Sequence, residues 1–461
     1  MNIRKGDIVE FKVESIAFGG RGVGKYDGKT IFVDGVMPGD KVKVSLSKIK
    51  HKFFDSDLVE VVEESEQRVK SKCKYFGKCG GCQLQFMKYE DQLKLKKRFV
   101  SDSFERIGGL KNVNILDVVA GEEEYFYRNK MEFSFGYDED FNFTLGFHVP
   151  GRKYDILDID ECHLQSYEAV EILNATRDFM KKLKWPPFKY SDGTGFLKHL
   201  TIREGKRTNE IMVCLVTSAK LPDNAKMEIE KYAELLKSFD FGEKKITSIY
   251  WLRKIAERGK PTRIEQDLLF GNKVLNEKMI LENGDELKFE ILPQAFFQVN
   301  TFQAEALYSE VINLASESNG VAFDLFCGTG TIGLFLAKHL EQVFGIEMNE
   351  SAVKSAKENA KNNNVFNIDF YVGDVAKLVK SIPEKPNLVV VDPPRAGLTQ
   401  DTISHLNEFS PEKIIYVSCN PATLARDCAL LSEYGYKIKS VKPFDLFPQT
   451  YHIENVCLLE R

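Results

Sequence analysis

The chain has 461 residues, 43% hydrophobic and 29% charged, with a formal net charge of −4. That length exceeds one ordinary core and sets an expectation of two to three domains, while the mild acidity excludes a generic polyanion binder. No run approaches the ~18 apolar residues that a membrane span needs, and there is no apolar leader, so a cytoplasmic protein without a membrane partner is expected.

Residues 1–100 carry 21 Lys and Arg against 14 Asp and Glu, whereas the remaining residues carry 43 against 54. A basic front on an acidic body suits a localised grip on nucleic acid. Nine cysteines are too few for a disulfide scaffold, so clustered ones point to metal or catalysis.

Residues 1–62 read as all-β. Ile8–Val13, Thr30–Val33 and Lys41–Leu46 are short alternating runs, Gly19–Gly24 is a glycine-rich turn, and Met37-Pro38-Gly39-Asp40 separates two strands. Short strands with frequent turns predict a small barrel. Lys48, Lys50, His51, Lys52, Phe53 and Phe54 then mix cations with aromatics, a combination suited to phosphate contact and base stacking. The stretch resembles a TRAM domain, an OB-like RNA-binding barrel.

Residues 63–290 form a central segment of mixed α and β pattern. It opens with Cys73, Cys79 and Cys82 among Gly77, Gly80 and Gly81, which let a backbone wrap a metal centre. Cys162 is the best fourth ligand, and by spacing the set fits zinc or an iron–sulfur cluster. Residues 90–108 look helical and basic. Lys130–Phe135 and Phe196–Arg203 read as strands.

Residues 291–461 alternate strand and helix, which predicts a mostly parallel, doubly wound, Rossmann-like sheet. Strands are expected at Val321–Phe326, Val343–Ile346, Ile368–Val372, Leu388–Val391, Ile414–Val417, Tyr436–Val441 and Asn455–Leu459. Gly328 and Gly330, with Gly333, satisfy a dinucleotide-type glycine pattern, which is weak alone. Asp324, at the end of the preceding strand, would repel a pyrophosphate but neutralise the amine of S-adenosylmethionine. Glu347 ends the next strand and can accept ribose hydroxyls, which suits either cofactor. Asp374 ends the third and can accept from an adenine amine. Asp392-Pro393-Pro394-Arg395 follows the fourth, where two prolines stiffen the turn. The ordered set resembles the motifs of class I S-adenosylmethionine-dependent methyltransferases.

Cys419 sits in Ser418-Cys419-Asn420-Pro421, at the carboxyl end of the Ile414–Val417 strand. Open α/β sheets bind ligands there. C5 of uracil is a poor nucleophile. A thiolate adding to C6 makes C5 electron-rich enough to take a methyl group. The C5 proton must then leave to a base, and Glu454 precedes the last strand.

With Phe296–Asn300 and His452–Glu454 added, the residues resemble the RNA uridine-C5 methyltransferase family over essentially the whole chain. That resemblance implies Cys419 as nucleophile and Glu454 as base. It implies that Gln298, Phe326, Glu347, Asp374 and Asp392 contact S-adenosylmethionine or orient the base, with Thr331 carried over more loosely. It also implies a [4Fe-4S] cluster on Cys73, Cys79, Cys82 and Cys162. The barrel and the cysteines resemble the ribosomal members more than the transfer-RNA members, so 23S ribosomal RNA is the expected substrate and a monomer the expected state. A transfer-RNA methyltransferase, an NAD-dependent oxidoreductase and a non-catalytic RNA-binding iron–sulfur protein are the competing assignments.

Overall fold

The computed structural model describes residues 3–256, 259–260 and 262–461. At the N-terminus six strands form one sheet, in which Lys41–Ile49 pairs antiparallel with both Ile8–Lys12 and Phe53–Glu63. Val42, Val44, Leu46 and Phe54 fill its core. Two expectations change here. Gly22 and Gly24 are strand positions rather than a turn, because a Cβ on them would lie 2.2 Å from Val36 and 2.3 Å from Phe11. Phe54, expected on a basic surface, is fully buried in the Phe53–Glu63 strand.

The central segment builds a seven-stranded mixed sheet. Lys130–Tyr137, Leu197–Glu204, Glu210–Ser218 and Lys245–Ile255 are neighbouring strands within it. Alternation decides its faces. Met131, Phe133, Leu200 and Ile202 pack under the helices Tyr167–Leu183 and Ala225–Lys237. Met212, Cys214 and Val216 point the other way, into a core shared with the C-terminal part. The helix Tyr89–Arg106 also joins that part, packing Val100 and Phe104 against Phe323 and Leu424.

The C-terminal sheet runs, in spatial order, Ile368–Val372, Gln342–Glu347, Val321–Leu325, Leu388–Val391, Lys413–Ser418, Glu454–Glu460 and Lys437–Phe444. The first five are parallel, and Glu454–Glu460 returns antiparallel between Lys413–Ser418 and Lys437–Phe444. Strand order reverses direction between Val321–Leu325 and Leu388–Val391, so the crevice at their carboxyl ends is where a ligand is expected.

Candidate active site

The chain leaves Val321–Leu325 through a strained turn. Phe326 has φ 65°, a left-handed value that costs a non-glycine residue about 1–3 kcal/mol. Its N–H donates to the Ile346 carbonyl (2.9 Å), and that of Cys327 donates to the same oxygen (3.1 Å), which holds the conformation. Gly328 and Gly330 follow with φ 55° and 80°. A Cβ on Gly330 would stand 2.8 Å from the Phe370 ring, so only glycine lets the turn lie this close to the sheet.

Asp324 is buried beneath this turn. One carboxylate oxygen accepts from the Gly333 N–H (2.8 Å), and Oδ1 is fully buried with no partner. Burial, with the nearby carboxylates of Asp392 and Glu347, pushes Asp324 up to about 7. Burial alone does the same to Asp392. Glu347 accepts from the backbone N–H of Gly328 (3.2 Å) and of Asn349 (2.8 Å), tying the second strand end to the glycine turn.

Cys419 and Glu454 meet through strand register. Ser418 pairs with Asn455 in the antiparallel ladder, which sets the next residue of each strand, Cys419 and Glu454, across from one another. The Asn455 side chain donates to the Ser418 carbonyl (3.1 Å) and closes the ladder end. Asn420 caps the helix Pro421–Glu433 by accepting from the Ala422 N–H, with Pro421 at the first turn. Such a cap contributes about 1 kcal/mol. The amide of Asn420 also donates to the Arg395 carbonyl (3.1 Å), joining the Pro393-Pro394 turn to the thiol's loop. Burial raises the Cys419 thiol to about 11. Glu454 and Asp392 add to that, and the Arg395 guanidinium opposes it. Glu454 is pushed well above the ordinary carboxylate range, by burial and then by Asp392.

Gln298, Asp324, Phe326, Gly328, Thr331, Glu347, Asp392, Cys419 and Glu454 all line one cavity of about 900 Å³. Gly330 is not among its lining residues. Asp374 also stands apart, where its carboxylate caps the short helix Val375–Leu378 by accepting from the Lys377 N–H (3.2 Å). Arg128, Tyr308 and Phe447 line the cavity without having been singled out from sequence, and His452 lines it from the His452–Glu454 segment. His452 is lowered to about 4 by burial and by the cations Arg395, Lys96 and Arg128. A buried pair, Lys96 Nζ to Asp445 Oδ1 (2.5 Å), sits at the root of the loop bearing Phe447 and His452, and Lys96 also donates to the Phe447 carbonyl (3.1 Å).

Cys73, Cys79, Cys82 and Cys162 line a second cavity of about 260 Å³, with Tyr75, Phe76 and Phe147. Burial raises all four thiols, Cys79 to about 11 and Cys82 to about 12. Among the described residues, no three His, Cys, Asp or Glu side chains are gathered closely enough to hold a single metal ion. Arg128 lines both cavities. The backbone N–H groups of Gln83 and Leu84, just after Cys82, donate to the Gln449 carbonyl (both 3.0 Å) in the loop that leads to Glu454.

Known proteins place this arrangement. Residues 88–385 and 385–461 match the model of the tRNA (uracil-5-)-methyltransferase family, and residues 4–59 match that of the TRAM domain. An uncharacterized RNA methyltransferase of Caldanaerobacter subterraneus subsp. tengcongensis is 39% identical, over 99% of both chains. Another, from Clostridium acetobutylicum, is 38% identical over 100% of this chain and 99% of its own. Among solved structures, the Pyrococcus abyssi tRNA (uracil-54, C5)-methyltransferase in complex with S-adenosyl-L-homocysteine is similar, with TM-score 0.75 and 29% identity. The match covers 98% of this chain and 100% of that one.

Proposed function

On the premise that the chain belongs to the tRNA (uracil-5-)-methyltransferase family, we propose that it methylates C5 of a uridine in RNA, with 23S ribosomal RNA as substrate. The observation that carries the chemistry is the register that sets Cys419 across from Glu454 in a cavity shared with Asp324 and Asp392. The residues present fit S-adenosylmethionine. Asp324 Oδ1 is a buried acceptor without a donor, and the glycine turn brings backbone close to the crevice. When bound, S-adenosylmethionine supplies an electrophilic methyl group. Asp324 neutralises its positive charge, and Glu347, with Phe326 beside it, receives the ribose. Gln298 and Asp392, which line the same cavity, orient the base.

Cys419 Sγ adds as thiolate to C6 of the uracil, and C5 takes the methyl group. Glu454 then removes the C5 proton, the C5–C6 double bond re-forms and the thiolate leaves. Arg395 favours the thiolate, against the burial and the two carboxylates that still hold the thiol at about 11. A carboxylate whose proton affinity burial has raised is a stronger base once ionised. The target base must leave its stack to reach the thiol, at a cost of a few kcal/mol. Phe296, 66% exposed at the cavity mouth, offers a ring to offset part of it.

The cysteine cavity supports a [4Fe-4S] cluster. Four soft donors line one space, the donor set that such a cluster takes. A cationic cluster would also lower thiols that burial now holds high. Iron and sulfide analysis of anaerobically purified protein tests this, and Cys79→Ser should lose both together with the visible absorbance.

Transfer RNA is the second reading, favoured by the substrate named for the Pyrococcus abyssi protein. Mass mapping of RNA from a deletion strain separates the two. A 5-methyluridine missing from 23S ribosomal RNA supports the proposal, and one missing only from transfer RNA replaces it.

A further inference from the structure

We propose that Gln449 is a positioning residue: by pinning the loop 445–453 to the helix Tyr89–Arg106 and to the cysteine segment, it holds the Glu454 carboxylate where it can reach the C5 proton. The proposal rests on the functional reading above, in which Glu454 is the base, and adds what keeps that base in place.

Glu454 is held by its backbone. Among the described residues its carboxylate accepts no hydrogen bond, and burial and the charges of Asp392 and Arg395 are what act on it. On one side it begins the last strand, pairing with Phe444 at the end of the ladder. On the other side it follows the loop 445–453, which also carries Phe447 and His452 into the cavity. Loops and element ends open most readily in a fold, so the base is as fixed as this loop.

Three consecutive carbonyls tie the loop to three other places. Phe447 accepts from Lys96 Nζ (3.1 Å), Pro448 from the Tyr127 hydroxyl (3.0 Å), and Gln449 from the N–H groups of Gln83 and Leu84 (both 3.0 Å). Gln449 adds more. Its N–H donates to Gln92 Oε1 (3.0 Å), and Gln92 Nε2 donates back to Gln449 Oε1 (3.0 Å). Its own Nε2 donates to Glu124 (3.3 Å). Gln92 is fully buried and Gln449 is 2% exposed. The backbone of Gln449 is left-handed, φ 70°, which a non-glycine residue keeps only where its surroundings over-determine it. Beyond that turn the Thr450 hydroxyl donates to the Phe447 carbonyl (2.8 Å), and the His452 N–H donates to Thr450 Oγ1 (3.2 Å), carrying the geometry on toward Glu454. Gln449 does not line the cavity, so it acts through the residues that follow it. Cys419 has separate support, from the Lys413–Ser418 strand and the capped helix Pro421–Glu433. Loosening the loop therefore moves the base and leaves the nucleophile.

The test is single-turnover methyl transfer with the full-length enzyme in excess, on total RNA from a strain lacking it, with S-adenosylmethionine labelled in its methyl group. Denaturing gels read formation and resolution of the covalent RNA–protein adduct separately. In Gln449→Ala, resolution should slow about 10–100-fold, the scale of a ~1 Å misplacement, with formation within about twofold of wild type. Glu124→Ala, at an exposed residue holding one of the bonds, should slow resolution about threefold, and it decides the matter should Gln449→Ala not fold. Unchanged S-adenosylhomocysteine affinity identifies the folded variants. Wild-type resolution in every folded variant, or equal slowing of formation and resolution, overturns the positioning role alone while adduct still accumulates in Glu454→Gln. A Glu454→Gln protein that resolves its adduct at the wild-type rate overturns the functional reading and the positioning role together.

Discussion

Two cavities in this protein hold thiols, and burial raises the thiol in each. Their surroundings differ. In the smaller cavity four thiols share one space with rings, Arg128, His163 and the carboxylates of Glu132 and Glu161. In the larger one Cys419 faces Glu454, Asp392 and Arg395, while Cys327, which lines it too, is held far above the ordinary thiol range by burial and by Asp324 and Glu347. Four thiols gathered in one space make a ligand set, whereas a thiol opposed across a ladder end by a buried acid makes a nucleophile. Burial is common to both and decides neither.

The sharpest way to break this contrast is to remove the nucleophile. Cys419→Ala should lower methyl transfer by at least about 10⁴-fold and abolish any RNA–protein adduct, with S-adenosylhomocysteine binding intact. Full activity, read by mass analysis of digested RNA, would end the mechanism. Glu454→Gln comes next. It leaves attack possible and blocks proton removal, so turnover should fall about 10²–10⁴-fold while a covalent RNA adduct accumulates on a denaturing gel. A variant that loses activity without adduct would move Glu454 to an earlier step.

Much of the larger cavity was legible in the chain, for a physical reason. Asp324, Glu347, Asp392 and Cys419 each follow an apolar run, and in a parallel sheet all such ends lie on one edge. Glu454 required one more step, that the last strand returns antiparallel beside Cys419. Arg128 and Tyr308 carried no such signal. Tyr308 comes from the helix Thr301–Ala315. Arg128 arrives from a different sheet through Tyr127, whose hydroxyl donates to the Pro448 carbonyl (3.0 Å). Asp374 shows the limit of reading strand ends: its pattern suited a ligand acid, but the same short side chain caps the helix that follows. Gly22 and Gly24 show the converse, since close packing against Val36 and Phe11 demands glycine as firmly as a turn does.

The larger cavity also depends on a charge pair that the smaller one lacks. Lys96 and Asp445 are fully buried and bonded, and burial lowers the lysine while Asp445 supports it. Lys96→Met leaves Asp445 alone in the interior and should cost about 3–5 kcal/mol in urea unfolding. The double variant Lys96→Met/Asp445→Leu should recover most of that, because no orphan charge remains. If the restored protein still shows a raised KM for RNA, the pair positions the Phe447–His452 loop as well as holding it. A KM equal to wild type confines the pair to stability.

The smallest effect falls on the cofactor side and has a definite sign. Asp324 stands at about 7 because it is buried beside carboxylates, against about 3.9 for a free aspartate. For folding, a raised acid stabilises the protein below the unfolded value, and that contribution fades as pH rises toward 7. Binding of a cationic ligand runs the other way, since it needs the ionised form. S-adenosylmethionine affinity should therefore level off above pH 7 and fall by up to tenfold per unit below it, with one proton released on binding. Calorimetry between pH 5.5 and 8.5, in buffers of different ionisation enthalpy, reads both quantities. Asp324→Asn should weaken binding at pH 8 and flatten the profile. A profile that keeps its slope in Asp324→Asn would shift the proton to Asp392, whose own value near 7 comes from burial alone. The acid that answers the cofactor would then be the one at the base-orienting turn rather than the one under the glycines.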